Sequence, residues 1–251
     1  MPLQHGRLVV VATLETGPPA ADQNLGALVP PGYGSCNATL QSARPLLSGA
    51  VKEIAPGLWH WTVRHEHIHV NVSSYYLLEE RVLIDPMVPA EGLDWFEQHG
   101  APEHVLLTNR HHDRHAWRLR EAFGCSVHCV RSGLHELEGR GPVAAFDFGD
   151  ELPGGVTAFE VDAICPDETA LHIPAHRALA CADGVVRWPG TGEVTFVPDD
   201  LMDDPERTKA GLRKAYLRLL DLDFELLLLA HGDPVLSGAK DALRAFASNR
   251  P

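Results

Sequence analysis

Residues 104–115 read HVLLTNRHHDRH, and the fold of this chain turns on how they are divided. His104 to Leu107 is a short apolar run of buried-strand type, and from about Arg114 to Phe123 the periodicity is helical, closed by Gly124. The polar cluster Thr108 to His115 joins them. A turn at the carboxyl end of a strand is where open α/β folds place their ligands. Three histidines, an aspartate and an asparagine there offer borderline and hard donors suited to Zn²⁺, Fe or Mn²⁺. A helix-capping turn, with Asp113 capping and the histidines solvated, would use the same residues, so this segment needs partners elsewhere to mean more.

Two other strand ends supply them. His231 follows the apolar run Leu226 to Ala230 and opens the tight turn His231-Gly232-Asp233-Pro234; Asp183, in Ala182-Asp183-Gly184, ends the run Ala178 to Ala182. Further strands are expected over 58–63, 73–78, 81–85, 126–130 and 156–162, and a short helix over 91–99 ended by Gly100. Asp204-Pro205 is an N-cap with proline at the first helical position, opening a helix whose Leu212, Tyr216 and Leu219 form one stripe. Ser237 opens a last helix with Ala239, Leu243 and Phe246 inward. Strands alternating with helices in this order predict a layered α/β domain in which helices cover the sheets.

With these pieces in order, residues 52 to 248 resemble the metallo-β-lactamase fold family. The family's T-H-x-H-x-D-H motif falls on Thr108 to Arg114, its P-G-H-T turn on Pro166-Asp167-Glu168-Thr169, its G-D strand end on Ala182-Asp183 and its G-H-G turn on Ala230-His231-Gly232; Asn71 to Asp85 is similar to its paired strands ending in Ile-Asp. The resemblance implies a four-layer αβ/βα sandwich. It also implies metal positions, four of them kept here: His111, Asp113, Asp183 and His231. Asn109, Arg114 and Glu168 stand where the family has histidine. Arginine bears no lone pair and cannot ligate, so one divalent ion (Zn, Fe or Mn) is expected rather than two. His111, Glu168 and Asp183 would hold it, with the Asn109 amide as a weak fourth donor and His115 as a substitute ligand, four residues beyond His111.

The activity implied by the resemblance is that of a metal-dependent hydrolase of a small ester, thioester or lactam-like substrate. Asp113 would orient the attacking water, and His231 or Arg114 would stabilise the oxyanion. The competing expectation is a catalytically silent member in which Arg114 replaces the second metal and the groove binds a ligand or partner. The resemblance extends to a homodimer.

Composition narrows the partners. The 251 residues carry 21 Lys+Arg against 34 Asp+Glu, a net charge of −13, which disfavours a general grip on nucleic acid. Five cysteines without C-x-x-C spacing argue against a disulfide framework or zinc ribbon and for a reducing compartment. The apolar run Leu8 to Leu14 is too short to span a membrane and is stopped by Glu15, so a cytoplasmic location is expected. Residues 1–50, with twelve Pro or Gly, read as a poorly ordered extension with one short strand at 8–14, ahead of a domain over 51–251. Among the fifteen histidines, His65, His67 and His69 would share one face of a strand. His60, Trp59 and Trp61 would line the groove or pack in the core, and His172 and His176 read as surface residues beside a hairpin.

Overall fold

The computed structural model describes residues 49–188 and 192–248. The expected extension, apart from Gly49 and Ala50, lies outside the described residues, as does the strand expected at 8–14. The domain opens with β1 (Gly49–Ala55), two residues before the expected boundary at 51.

One sheet has seven strands in sequence order: β1, β2 (Leu58–Arg64), β3 (Asn71–Leu77), β4 (Val82–Ile84), β5 (His104–Leu106), β6 (Ser126–Val130) and β7 (Val143–Phe146). Its first four strands pair antiparallel and β4 to β7 pair parallel. The parallel part is linked by α1 (Asp94–His99) and α2 (Ala116–Phe123). The second sheet has five strands. In spatial order they are β12 (Leu226–Leu229), β11 (Ala178–Cys181), β10 (Thr169–Ile173), β9 (Val156–Glu160) and β8 (Glu151–Leu152), with only β11 and β12 parallel. The helices α3 (Pro205–Leu219) and α4 (Ala239–Ser248) complete the chain.

Alternation along the strands builds three apolar seams. Tyr75, Ile84, Leu106 and Val130 of the first sheet meet Ala158, Leu171, Ala180 and Leu228 of the second between the sheets. On the outer side of the first sheet, Tyr76, Leu83, Val105 and Val127 pack on Trp95, Phe96 and Leu119. On the outer side of the second, Leu179, Leu227 and Leu229 pack on Leu212, Tyr216, Leu243 and Phe246. This is the α/β sandwich with its helices outside, in four layers. Asp204 caps α3, its side chain accepting from Arg207 N at 3.1 Å ahead of Pro205.

The elements that escaped the sequence lie mostly at edges. β1, β7 and β8 are short or half-exposed and lack a dense apolar alternation. β10 was not among the expected strands, beginning at the last residue of the turn expected over 166–169, although four of its five residues are buried. The histidines at 65, 67 and 69 share no strand face: the chain leaves β2 at Arg64 and folds into a turn closed by His69 N to His65 O at 2.9 Å. His176 is also not a surface residue, because its side chain is 7% exposed and pairs with Glu80 at 3.3 Å. Trp61 is core; the half-buried Trp59 packs edge-on against Trp95. The four described cysteines are buried and free. No described helix is long and apolar enough to cross a membrane.

One side chain ties the sheets together directly. The Tyr75 hydroxyl on β3 donates to Leu229 O at 2.8 Å and accepts from Leu229 N at 2.9 Å, closing both backbone groups at the end of β12. Replacing Tyr75 by Phe leaves two buried backbone groups unpaired, an expected destabilisation of about 2–3 kcal/mol. Urea unfolding should show a lower midpoint at unchanged slope; a shift equivalent to less than about 0.5 kcal/mol would contradict the pinning role.

Candidate metal centre

Five strand ends and turns meet at one edge of the sandwich. Asp85 follows β4, Thr108 to His112 follow β5, Glu168 precedes β10, Asp183 follows β11 and His231 follows β12. Backbone hydrogen bonds fix these loops to one another: Thr169 N to Thr108 O at 2.9 Å, and Ser73 N to Ala230 O at 2.9 Å. Arg110 adds a buried ion pair with Asp167, whose Oδ2 also accepts from Arg110 N at 2.7 Å. Gly232 is required here. Its φ is 96°, and an added Cβ would lie 1.7 Å from Arg187 O, so any other residue would push the His231 turn away.

The local fold of the first turn decides which side chains enter. Asn109 caps a three-residue 3₁₀ turn, Arg110–His112, its Oδ1 accepting from His111 N at 2.9 Å. In a 3₁₀ turn side chains three apart lie above one another. Asn109 and His112 therefore face inward together, while His111 is carried outward.

His112 Nε2 lies 3.2 Å from Asp183 Oδ1, and His231 Nε2 lies 3.0 Å from the same oxygen. These three residues offer donor atoms within 4.8 Å of one another, one each. On its other side, His112 Nδ1 is 2.9 Å from Asp85 Oδ2. Asp85 also accepts from Thr108 N at 2.9 Å and from the Thr108 hydroxyl. Asn109 Nδ2 donates to Asp183 Oδ2 at 3.0 Å. Glu168 is fully buried beneath the cluster, with Oε1 accepting from Gly184 N at 2.6 Å. Arg114, on a left-handed backbone with φ 35°, sends Nη1 to Ser73 O at 2.8 Å and Asp85 O at 2.7 Å.

The charges follow from this packing. Burial would depress His112, but Asp183 and Asp85 outweigh it and raise its pKa to about 9. Burial alone would raise the Asp183 carboxyl; the His112 and His231 rings hold it well below the usual range. Asp85 is likewise held down by His112 and Arg114 against burial. Glu168 goes the other way, raised to about 8 by burial and by the neighbouring Asp183. At neutral pH the metal-free cluster is therefore His112⁺ and Arg114⁺ against Asp85⁻ and Asp183⁻, with Glu168 protonated.

Several residues singled out from the sequence stand elsewhere. His111 is 34% exposed and lies 3.8 Å from Glu136. Asp113 accepts from Trp117 Nε1 at 2.8 Å and pairs with Arg140 at 3.1 Å, away from the cluster. His115 Nδ1 accepts from Val88 N at 2.9 Å and Nε2 meets Glu66 at 3.1 Å, so both ring nitrogens are engaged. The Asn109 amide oxygen is taken by the turn it caps, and the side-chain hydrogen bonds of Glu168 among the described residues go to Asn109, Gly184 and Cys165. Asp183 and His231 enter the cluster. His112 and Asp85 were missed; the signals were a carboxylate ending the apolar strand Val82-Leu-Ile and the three-residue step from Asn109 to His112.

No family profile and no curated protein matches this chain. Solved structures do. The mono-zinc form of the metallo-β-lactamase FIM-1 from Pseudomonas aeruginosa superposes with a TM-score of 0.60 at 13% identity, over 80% of this chain and 95% of that one. The metallo-β-lactamase family protein TTHA1429 from Thermus thermophilus gives 0.55 at 15% identity, covering 78% of each. A metal-soaked Flv1 flavodiiron core from Synechocystis sp. PCC6803 gives 0.60 at 14% identity; 80% of this chain spans 60% of that one. The chain has the metallo-β-lactamase fold.

The shifts set a pH dependence for the metal-free protein. His112 and Glu168 are raised in the folded state, to about 9 and about 8, so their stabilisation is present at low pH and lost as pH rises. His60 and His128, desolvated and lowered to about 4, act oppositely, adding stability as pH rises toward the ordinary histidine value. Stability should peak near pH ~6.5 and fall between about pH 7 and 8.5, and His112→Gln should flatten that fall. A melting temperature rising across that interval would contradict the charge assignment.

Proposed function

We propose that this chain is a metal-dependent hydrolase with a one-metal centre formed by His112, Asp183 and His231, acting on a small ester, thioester or lactam-like substrate. The observation that carries the reading is the convergence of two imidazole nitrogens and one carboxylate oxygen at strand ends. Two histidines and a carboxylate are a donor set for Zn²⁺ or Fe²⁺. When bound, such an ion supplies a water acidified toward neutrality and polarises a carbonyl.

The residues around the donors fit that use. Asp85 fixes the His112 ring through Nδ1 and leaves Nε2 directed at Asp183, the outer contact that orients a ligating histidine. Asn109 holds Asp183 Oδ2, leaving Oδ1 for the centre. Loss of the His112 proton is the condition for ligation, so metal uptake releases a proton and tightens as pH rises. Arg114 keeps a fixed positive charge beside Asp85, which with Asp113 turned away leaves no second cluster of donors among the described residues. Asp183 is 25% exposed against 5% for His112, so solvent and substrate reach the centre past Asp183. The fold likeness to metallo-β-lactamases supports the reaction class.

A specific observation favours the silent alternative: without metal, Asp183 is already partnered by His112, His231 and Asn109, and the charges balance. Elemental analysis of protein purified without chelator separates the two. One equivalent of Zn, Fe or Mn, lost in Asp183→Asn together with at least about 100-fold of the esterase, thioesterase or lactamase activity, is the expected result. Metal below about a tenth of an equivalent, with stability indifferent to added Zn²⁺, would overturn the hydrolase reading.

A further inference from the structure

On the opposite side of the second sheet, α3 carries Arg207, Lys209, Arg213, Lys214 and Arg218 against Glu206 alone, five of the 21 basic residues of an acidic chain in fifteen positions. Asp199, Asp200, Asp203 and Asp204 come immediately before it. The helix is thus acidic at its start and basic toward its end. Its exposed positions fall at helical spacing along one stripe: Asp203, Glu206 and Arg207, Ala210, Lys214, then Leu217 and Arg218. Ala210, Lys214, Leu217, Ala247 and Ser248 line a groove of about 730 Å³ between α3 and α4. Leu217 is 44% exposed, one of three large apolar side chains so exposed among the described residues.

We infer that this stripe is a self-complementary interface and that its occupant is a second copy of the same chain. A twofold axis at Ala210 sets α3 antiparallel to its copy, so that each position beyond 210 lies level with the one equally far before it. Lys214 then lies level with Glu206 of the copy and Leu217 with Asp203, while Arg218 lies level with Met202, one residue from Asp203. Opposite charges meet twice by symmetry, as an isologous contact requires. The small Ala210 lets the backbones approach at the axis, and the Leu217 side chains cover the groove ends. Antiparallel helices also set each positive N-terminus beside a negative C-terminus.

Asp203, Glu206 and Lys214 have no ion-pair partner among the described residues, so no existing pair is broken. Lys209 stays with Asp199 at 2.6 Å, and Arg213, the like-charge neighbour of Arg207 in this arrangement, is drawn aside over the Phe196 ring at 5.0 Å. Net charge works in the same direction. Two chains of −13 repel over most of their surface, and the basic half of α3 is where a second acidic chain meets attraction. The inference is independent of the metal centre.

Sedimentation velocity on the full chain over a concentration series tests it. The expected result is a species of twice 27.4 kDa. Lys214→Glu, at an exposed position, should weaken association at least about tenfold, and Ala210→Glu should abolish it. The double variant Glu206→Lys with Lys214→Glu, which restores both pairs in reversed sense, should recover the dimer. A monomer at every concentration, a dimer indifferent to Ala210→Glu, or failure of the double variant to recover would each overturn the inference. Circular dichroism of the variants guards against misfolding as the cause.

Discussion

His112 lies between two carboxylates, 2.9 Å from Asp85 and 3.2 Å from Asp183, with 5% of its side chain reaching solvent. A buried ion is tolerated only when its partners are close and its donors are satisfied. Here the imidazolium uses both ring nitrogens, one on each sheet's side of the sandwich. Asp85 belongs to the end of β4 and Asp183 to the end of β11, so a single ring joins the two sheets electrostatically at the edge where their loops converge. Removing it would leave two carboxylates facing each other without the charge that balances them.

The rest of the site follows from that constraint. Asp85 is held by Thr108 and faces the Arg114 guanidinium through its carbonyl, while Asp183 is held by Asn109 and His231. The sheets are drawn together at the same edge by Tyr75 on Leu229 and by Ser73 on Ala230 and Gly232. The resulting cluster is neutral with a proton on His112. In the proposed centre a divalent ion would take that proton's place, so the residue that locks the metal-free fold would also be a ligand.

The fold was legible because its evidence is distributed. Apolar runs at 104–107, 178–182 and 226–230, each ending in a polar turn, keep their meaning even if one boundary is misread. The edge strands β1, β7 and β8 were not legible, since half-exposed strands lack the alternation that marks a buried face. At the site, Asp183 and His231 could be placed because each is the first ligand type after its strand. The turn after β5 offered three histidines and no strand-end position to choose among them. Matching the motif residue by residue selected His111 and Asp113, whereas a 3₁₀ turn brings Asn109 and His112 to the same face. The register of one turn, set by the Asn109 cap, was the missing quantity. Asp85, not Asp113, is the carboxylate that faces His112 beside Asp183, and Glu168 is buried as the neutral acid.

The central claim is that His112 and His231, with Asp183, form the metal centre. Co²⁺ titrated into chelator-treated protein with labelled histidines, followed by paramagnetic NMR, addresses it most directly. Two imidazoles, assigned by His112→Gln and His231→Gln, should show strongly shifted ring protons, with the His111 and His115 resonances near their diamagnetic positions. Shifted His111 resonances with His112 unaffected would contradict the account.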